Sequence, residues 1–162
     1  MICYILGYNI FRCSKPLISV EFEPHATSLE LKGDGYLIAS LGEDSGYVPY
    51  TAFSAKKSYI EAHPDVIEAF TKALQMGMEY VAAHTPEEIA AVIKPQFEET
   101  DDATLAAIVT RYYEQDTWKE DLIFREDAFT LLQDILEEAG ELRERVPYED
   151  LVNTDFAQKA VK

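Results

Sequence analysis

Four consecutive residues, Phe22-Glu23-Pro24-His25, combine a flat ring, a carboxylate, a backbone stop and an imidazole. The aromatic face can stack on a planar ligand, and the carboxylate beside it can accept from an amino group. Pro24 has no N–H and disfavours helical angles at the residue before it. It therefore closes the apolar run at 18–22 as a strand and aims its neighbours in a reproducible direction. Glu23 then stands at a strand end, where open α/β sheets usually hold ligands. An aromatic next to a carboxylate suits an amine-bearing ring such as an aminopyrimidine better than an oxyanion, which Glu23 would repel. The plainer alternative is a capped strand end with a solvated glutamate.

Other chemistry-bearing residues are dispersed. His25, His63 and His84 lack ligand spacing and companion cysteines, so no metal site is expected. Cys3 and Cys13 form no CxxC and are expected as free thiols, a disulfide between them being the alternative. No phosphate-cradling glycine loop, GxSxG or HExxH is present, so no catalytic residue is named, no cofactor is expected and the chain is not read as an enzyme. Trp118, the single tryptophan, reads as a packing anchor.

The acidic balance narrows the partners. Residues 1–60 carry five Lys/Arg against six Asp/Glu, whereas 61–162 carry nine against twenty-four, so −1 and −15 sum to −16. Such a field repels phosphate backbones and excludes nucleic acid as a partner class. An apolar content of 48% over 162 residues suits a globular chain with a sizeable core. No segment reads as an export signal, because Arg12 follows the apolar start instead of preceding it, and no run is long enough to span a bilayer.

The elements that must position the Phe22–His25 box change character near residue 60. Runs 18–22 and 36–41 are short and β-favouring, with a short helix over 25–32 ending at "KGDG". "YVPYTAFSA" reads as extended, and Pro49 argues for an edge or a crossover. From Pro64 the periodicity is helical, with Val66, Ile67, Phe70, Leu74 and Val81 on one face. Thr85, Pro86 and Glu88 form a capping-box signature, and Pro95 ends that helix. Leu105, Ile108, Val109 and Tyr112 align in a further helix, as do Phe129, Leu132, Ile135 and Leu136 before Gly140. A short "TDFAQKAV" helix follows. Two or three short strands do not make a self-sufficient sheet, and each amphipathic helix needs something to cover.

In order along the chain stand the Phe22-Glu23-Pro24-His25 box, Gly46-Tyr47-Val48-Pro49-Tyr50-Thr51, a helix start at His63-Pro64-Asp65, Trp118-Lys119-Glu120-Asp121 and Glu138-Ala139-Gly140-Glu141-Leu142. This ordered set resembles the back half of ABC-importer solute-binding proteins, in the group that binds thiamine-pyrimidine precursors, sulfonates, taurine and nitrate. The resemblance spans about residue 19 to the end and implies a helix-rich α/β chain, part of a type II periplasmic-binding fold.

On that resemblance, 1–18 is an unmatched N-terminal segment and 19–46 ends the second lobe. Residues 47–56 form a hinge crossover, and 57–162 are the helical C-terminal part of the first lobe. Phe22, Glu23 and His25 are the implied ligand contacts from the box, and Tyr50 and Thr51 those from the crossover, with hinge packing as the alternative for the latter pair. The implied function is capture of a small polar or aromatic nutrient outside the cytoplasm (in the periplasm or as a lipoprotein), for delivery to an ABC permease. Family chains are considerably longer, so the chain is expected to be a truncated product. Self-association is expected through helix faces that would otherwise cover a sheet. The competing readings are a stand-alone acidic helical interaction protein, a non-functional fragment, and an enzyme like the pyrimidine synthases that share this fold.

Overall fold

The computed structural model describes residues 2–7 and 17–161, with side chains over 18–161. Expectations that fall on 8–16, including Cys13 and therefore the state of the Cys3–Cys13 pair, lie outside these described residues. The chain divides into two units: one runs to Gly46 and includes His84–Trp118, and the other comprises Tyr47–Ala83 and the chain from Lys119 onward.

The first unit carries a three-stranded sheet in the order β2-β1-β3. Strand β1 (Ile2–Gly7) pairs antiparallel with both β2 (Leu17–Phe22) and β3 (Gly35–Ser40). Ile2 lies opposite Phe22 and Gly7 opposite Leu17, while the β1–β3 ladder shifts between Tyr4 and Ile5. The sequence reading placed no strand at 2–7, yet this segment is the centre of the sheet. A short apolar run has no period that separates strand from buried helix.

Helix α1 (His25–Leu31) packs on one side of this sheet, where Leu29 and Leu37 close over the fully buried Ala26. It stops at Gly33, whose φ of 72° lets the amides of Gly33 and Asp34 turn back to the carbonyls of Glu30 and Leu29. A short α2 (Leu41–Asp44) follows β3.

Helix α5 (Pro86–Ile93) begins with the capping box anticipated from its sequence. The Thr85 hydroxyl accepts from the Glu88 amide at 3.3 Å, and the Thr85 amide donates to the Glu88 carboxylate at 2.9 Å. A 3₁₀ turn at Lys94–Gln96 ends it at Pro95. Helix α6 (Asp102–Glu114) starts at Asp101, whose carboxylate accepts from the amide and the hydroxyl of Thr104. Ile89 and Ala90 of α5 are buried, as are Leu105, Ile108 and Val109 of α6, the latter at the i, i+3, i+4 spacing of a helix face turned inward. Helix α6 also packs on α1, which brings it against the box.

The second unit is helical: α3 (Lys57–Ala62), α4 (Pro64–Ala83), α7 (Glu126–Glu138), α8 (Tyr148–Leu151) and α9 (Asp155–Ala160). Phe129 is buried between the rings of Phe124 and Tyr148, edge-on at 6.1 and 5.8 Å. Gly140, with φ 75°, closes α7 as its sequence position suggested. Helix α4 packs on α9, but its one buried residue is Gln75, and Val66 and Phe70 of the anticipated stripe stay exposed. Residues 47–56 form no regular element. The molecule is thus helix-rich after residue 60. Among the described residues no helix is long and apolar enough to cross a membrane.

Candidate ligand-binding site

The β2–α1 junction is built around one buried carboxylate. Glu23 follows the last residue of β2, and its side chain is only 3% exposed. One oxygen accepts from the Thr27 amide at 3.0 Å, and the other accepts from the Thr27 hydroxyl at 2.9 Å. Pro24 holds the N-cap position and its side chain has no oxygen to accept there, so Glu23 caps the first turn of α1 from one residue further back. A negative group is favoured there, beside the free amides of the helix start.

Arg111 of α6 supplies the counter-charge. Its Nη1 donates to Glu23 Oε1 and to Thr27 Oγ1, both at 2.8 Å. Its Nη2 donates to Glu30 Oε2, while Glu30 Oε1 accepts from the Leu37 amide of β3 at 3.2 Å. One guanidinium therefore ties together the end of β2, both ends of α1 and the middle of β3. Burial alone would lower the pKa of Arg111, but the hydrogen bonds and charges of Glu23 and Glu30 outweigh it and raise the value. The sequence reading did not single out Arg111. The available signal was that it is the lone cation in 95–118, on a helix with an otherwise apolar inner face.

The other box residues lie at the surface of the same junction. The Phe22 ring is about half exposed at the end of β2. His25 is exposed at the start of α1, and its Nδ1 donates to Glu21 Oε2 at 2.8 Å. The hydroxyl of Ser19 donates to the second Glu21 oxygen at 2.7 Å. The Ser19 hydrogen bond, and then that of His25, hold the Glu21 carboxyl below its ordinary value. Phe22, Glu23 and His25 thus share one junction but not one surface. Glu23, expected as an acceptor for the ligand, is engaged by Thr27 and Arg111. His25 turns to Glu21, which strand alternation sets on the face of β2 opposite Phe22.

Tyr50 and Thr51 belong to the second unit, where both are exposed in the 47–56 segment. Nearby in sequence, Tyr47 lies under Lys119, whose ammonium is 4.1 Å from the ring centroid and donates to the hydroxyl at 2.9 Å. Two of the quoted motifs, Gly46–Thr51 and Trp118–Asp121, therefore touch through this pair. Trp118 itself packs edge-on to Tyr112 at 5.6 Å. Among the described residues no three His, Cys, Asp or Glu side chains gather as a metal site.

No family model and no solved structure matches the chain. A curated relative does: over 138 residues, 85% of the chain, it is 40% identical to "Putative binding protein YtlA" of Bacillus subtilis (strain 168). The chain spans 41% of that relative's length, so the similarity is to a part of a longer protein bearing a binding protein's name.

Proposed function

We propose that the chain is part of the solute-binding component of an ABC importer. It acts outside the cytoplasmic membrane and takes a small polar or flat aromatic nutrient, such as a thiamine pyrimidine precursor, for a permease. The observation that carries this reading is the 40% identity to a relative named as a binding protein. The β2–α1 junction supports it with a ring presented at a strand end on a rigid footing. In this reading Phe22 stacks on the ligand, and the imidazole of His25, with Nδ1 committed to Glu21, offers Nε2 to a polar group. Glu23 acts from beneath by fixing the turn that presents both rings. Tyr50 and Thr51 are candidates on the second unit, each judged by its own variant.

Titration calorimetry of the full chain against an aminopyrimidine, taurine and nitrate tests this. The aminopyrimidine should bind, and Phe22→Ala should weaken it about tenfold, the size of an aromatic stacking contribution. Binding that is absent, confined to the anions, or indifferent to Phe22→Ala would sink the proposal.

A further inference from the structure

The sheet of the first unit is inverted with respect to ordinary patterning. On β2, Ile18 and Val20 are 60% and 46% exposed while Ser19 and Glu21 lie partly covered on the other side. On β3, Tyr36 and Ile38 are 64% and 50% exposed, whereas Leu37 packs inward against Ala26. A one-sided antiparallel sheet normally turns its polar residues to water and its apolar ones to the core. Single exposed apolar side chains are unremarkable, but two rows of them on one sheet mark an interaction surface.

We propose that this face is where two copies of the chain meet. Charge selects the occupant. The chain carries −16, yet residues 1–60 contribute only −1 of it. β2 and β3 contain one residue charged at neutral pH, Glu21, and its carboxylate is taken by Ser19 and His25 away from the exposed rows. A basic partner would be drawn to the acidic helices of 61–162 instead. Two copies meeting through the acidic helix faces of 61–162 would set acid against acid. Meeting through the sheet, they bury apolar rows without opposing charges.

The geometry suits a self-complementary contact. The rows on β2 and β3 flank the central strand about 10 Å apart, and together they make one continuous face that can pack on its own copy at ordinary sheet-packing distance. A two-fold arrangement presents the same patch twice and closes without leaving an open end. A patch on the order of 500 Å² per copy lies at the small end of specific interfaces, so the dimer should be concentration-dependent. The inference stands without the ligand reading above, although Phe22, 48% exposed, ends the same β2 row at the rim of this face.

Sedimentation velocity of the full chain from about 1 to about 100 µM, a range that brackets micromolar association, tests it. A discrete dimer should appear. The double variant Val20→Thr, Ile38→Thr keeps strand-favouring shapes and should raise the dissociation constant at least about tenfold with unchanged far-UV dichroism. Tyr36→Lys sets like charges into the contact and decides the matter if the double variant loses structure. Val66→Thr with Phe70→Thr, on an equally exposed part of α4, should leave the dimer unaffected. A monomer throughout, open-ended assemblies, a dimer indifferent to the sheet variants, or one abolished by the α4 variant would each overturn the proposal.

Discussion

Arg111 and Glu23, 88 positions apart in the chain, are joined by a 2.8 Å hydrogen bond between Nη1 and Oε1. The bond links a helix rich in small and branched apolar residues to the turn that ends β2. The same guanidinium reaches Glu30, so two carboxylates share one cation. Taking such groups out of water costs several kcal/mol per ion, and the attraction repays it only when the hydrogen bonds are complete. Here Thr27 completes them, donating to Glu23 while accepting from Arg111.

Removing Arg111 should therefore be costly. Arg111→Ala leaves Glu23 buried without a counter-charge, and the expected loss of stability is about 3–5 kcal/mol. Arg111→Lys should recover only part of it, because an ammonium lacks the planar fork that serves two acceptors at once. Urea unfolding followed by dichroism measures both; a loss under about 1 kcal/mol for the alanine variant would contradict a buried ion pair.

Glu21 gives the junction a pH dependence with a definite sign. Its carboxyl is held below the ordinary 4.5 in the folded chain. The folded state thus favours the ionised form, so the contribution is complete above the unfolded value and disappears as pH falls through the folded one. Glu21→Gln should be less stable than the parent at neutral pH, by about 1 kcal/mol or less for so exposed a contact. The two should converge in acid below pH 4.5. Thermal melts of both proteins at a series of pH values check this, and melting curves that stay parallel into acid would show that Glu21 is not the group responsible.

Two buried glutamines in the second unit should behave differently. Gln133 uses both ends of its amide on one partner, donating to the Val146 carbonyl at 3.2 Å and accepting from the Val146 amide at 2.8 Å. Gln75 donates to the Glu120 carbonyl at 3.1 Å, but its buried Oε1 finds no hydrogen-bond partner among the described residues. Gln133→Met strands a donor and an acceptor and should cost about 2–4 kcal/mol, whereas Gln75→Met also removes an unsatisfied oxygen and should stay within about 1 kcal/mol of the parent. Denaturant midpoints of the two variants, compared side by side, should differ in that order; the reverse order would refute the account.

What was legible in the sequence was local. The Thr85 capping box, the Gly140 stop and the helical faces of α6 and α7 depend on residues within a turn or two of each other. The spacing of side chains therefore states them directly. The role of Arg111 is not local: nothing within four residues of it announces that its partners are Glu23 and Glu30. β1 was missed because six apolar residues carry no period. The stripe on α4 was visible as a helix, but how much of it would be covered depends on what packs there, and Val66 and Phe70 remain in water. The Phe22–His25 box was legible as a strand end. That Glu23 would face inward while Phe22 and His25 face outward required knowing where α6 lies.

The interleaving of the two units bears on how the chain is made and inherited. The first unit is assembled from the chain up to Gly46 and from His84–Trp118, with Tyr47–Ala83 of the other unit passing between them. During translation the sheet and α1 emerge early, but the cation that neutralises Glu23 appears only when residue 111 has left the ribosome. Until then the junction holds an uncompensated buried acid or stays open. For the same reason neither unit can be exchanged as a single gene cassette, because any one crossover point carries away part of both. Recombination would have to respect three seams at once, after Gly46, Ala83 and Trp118.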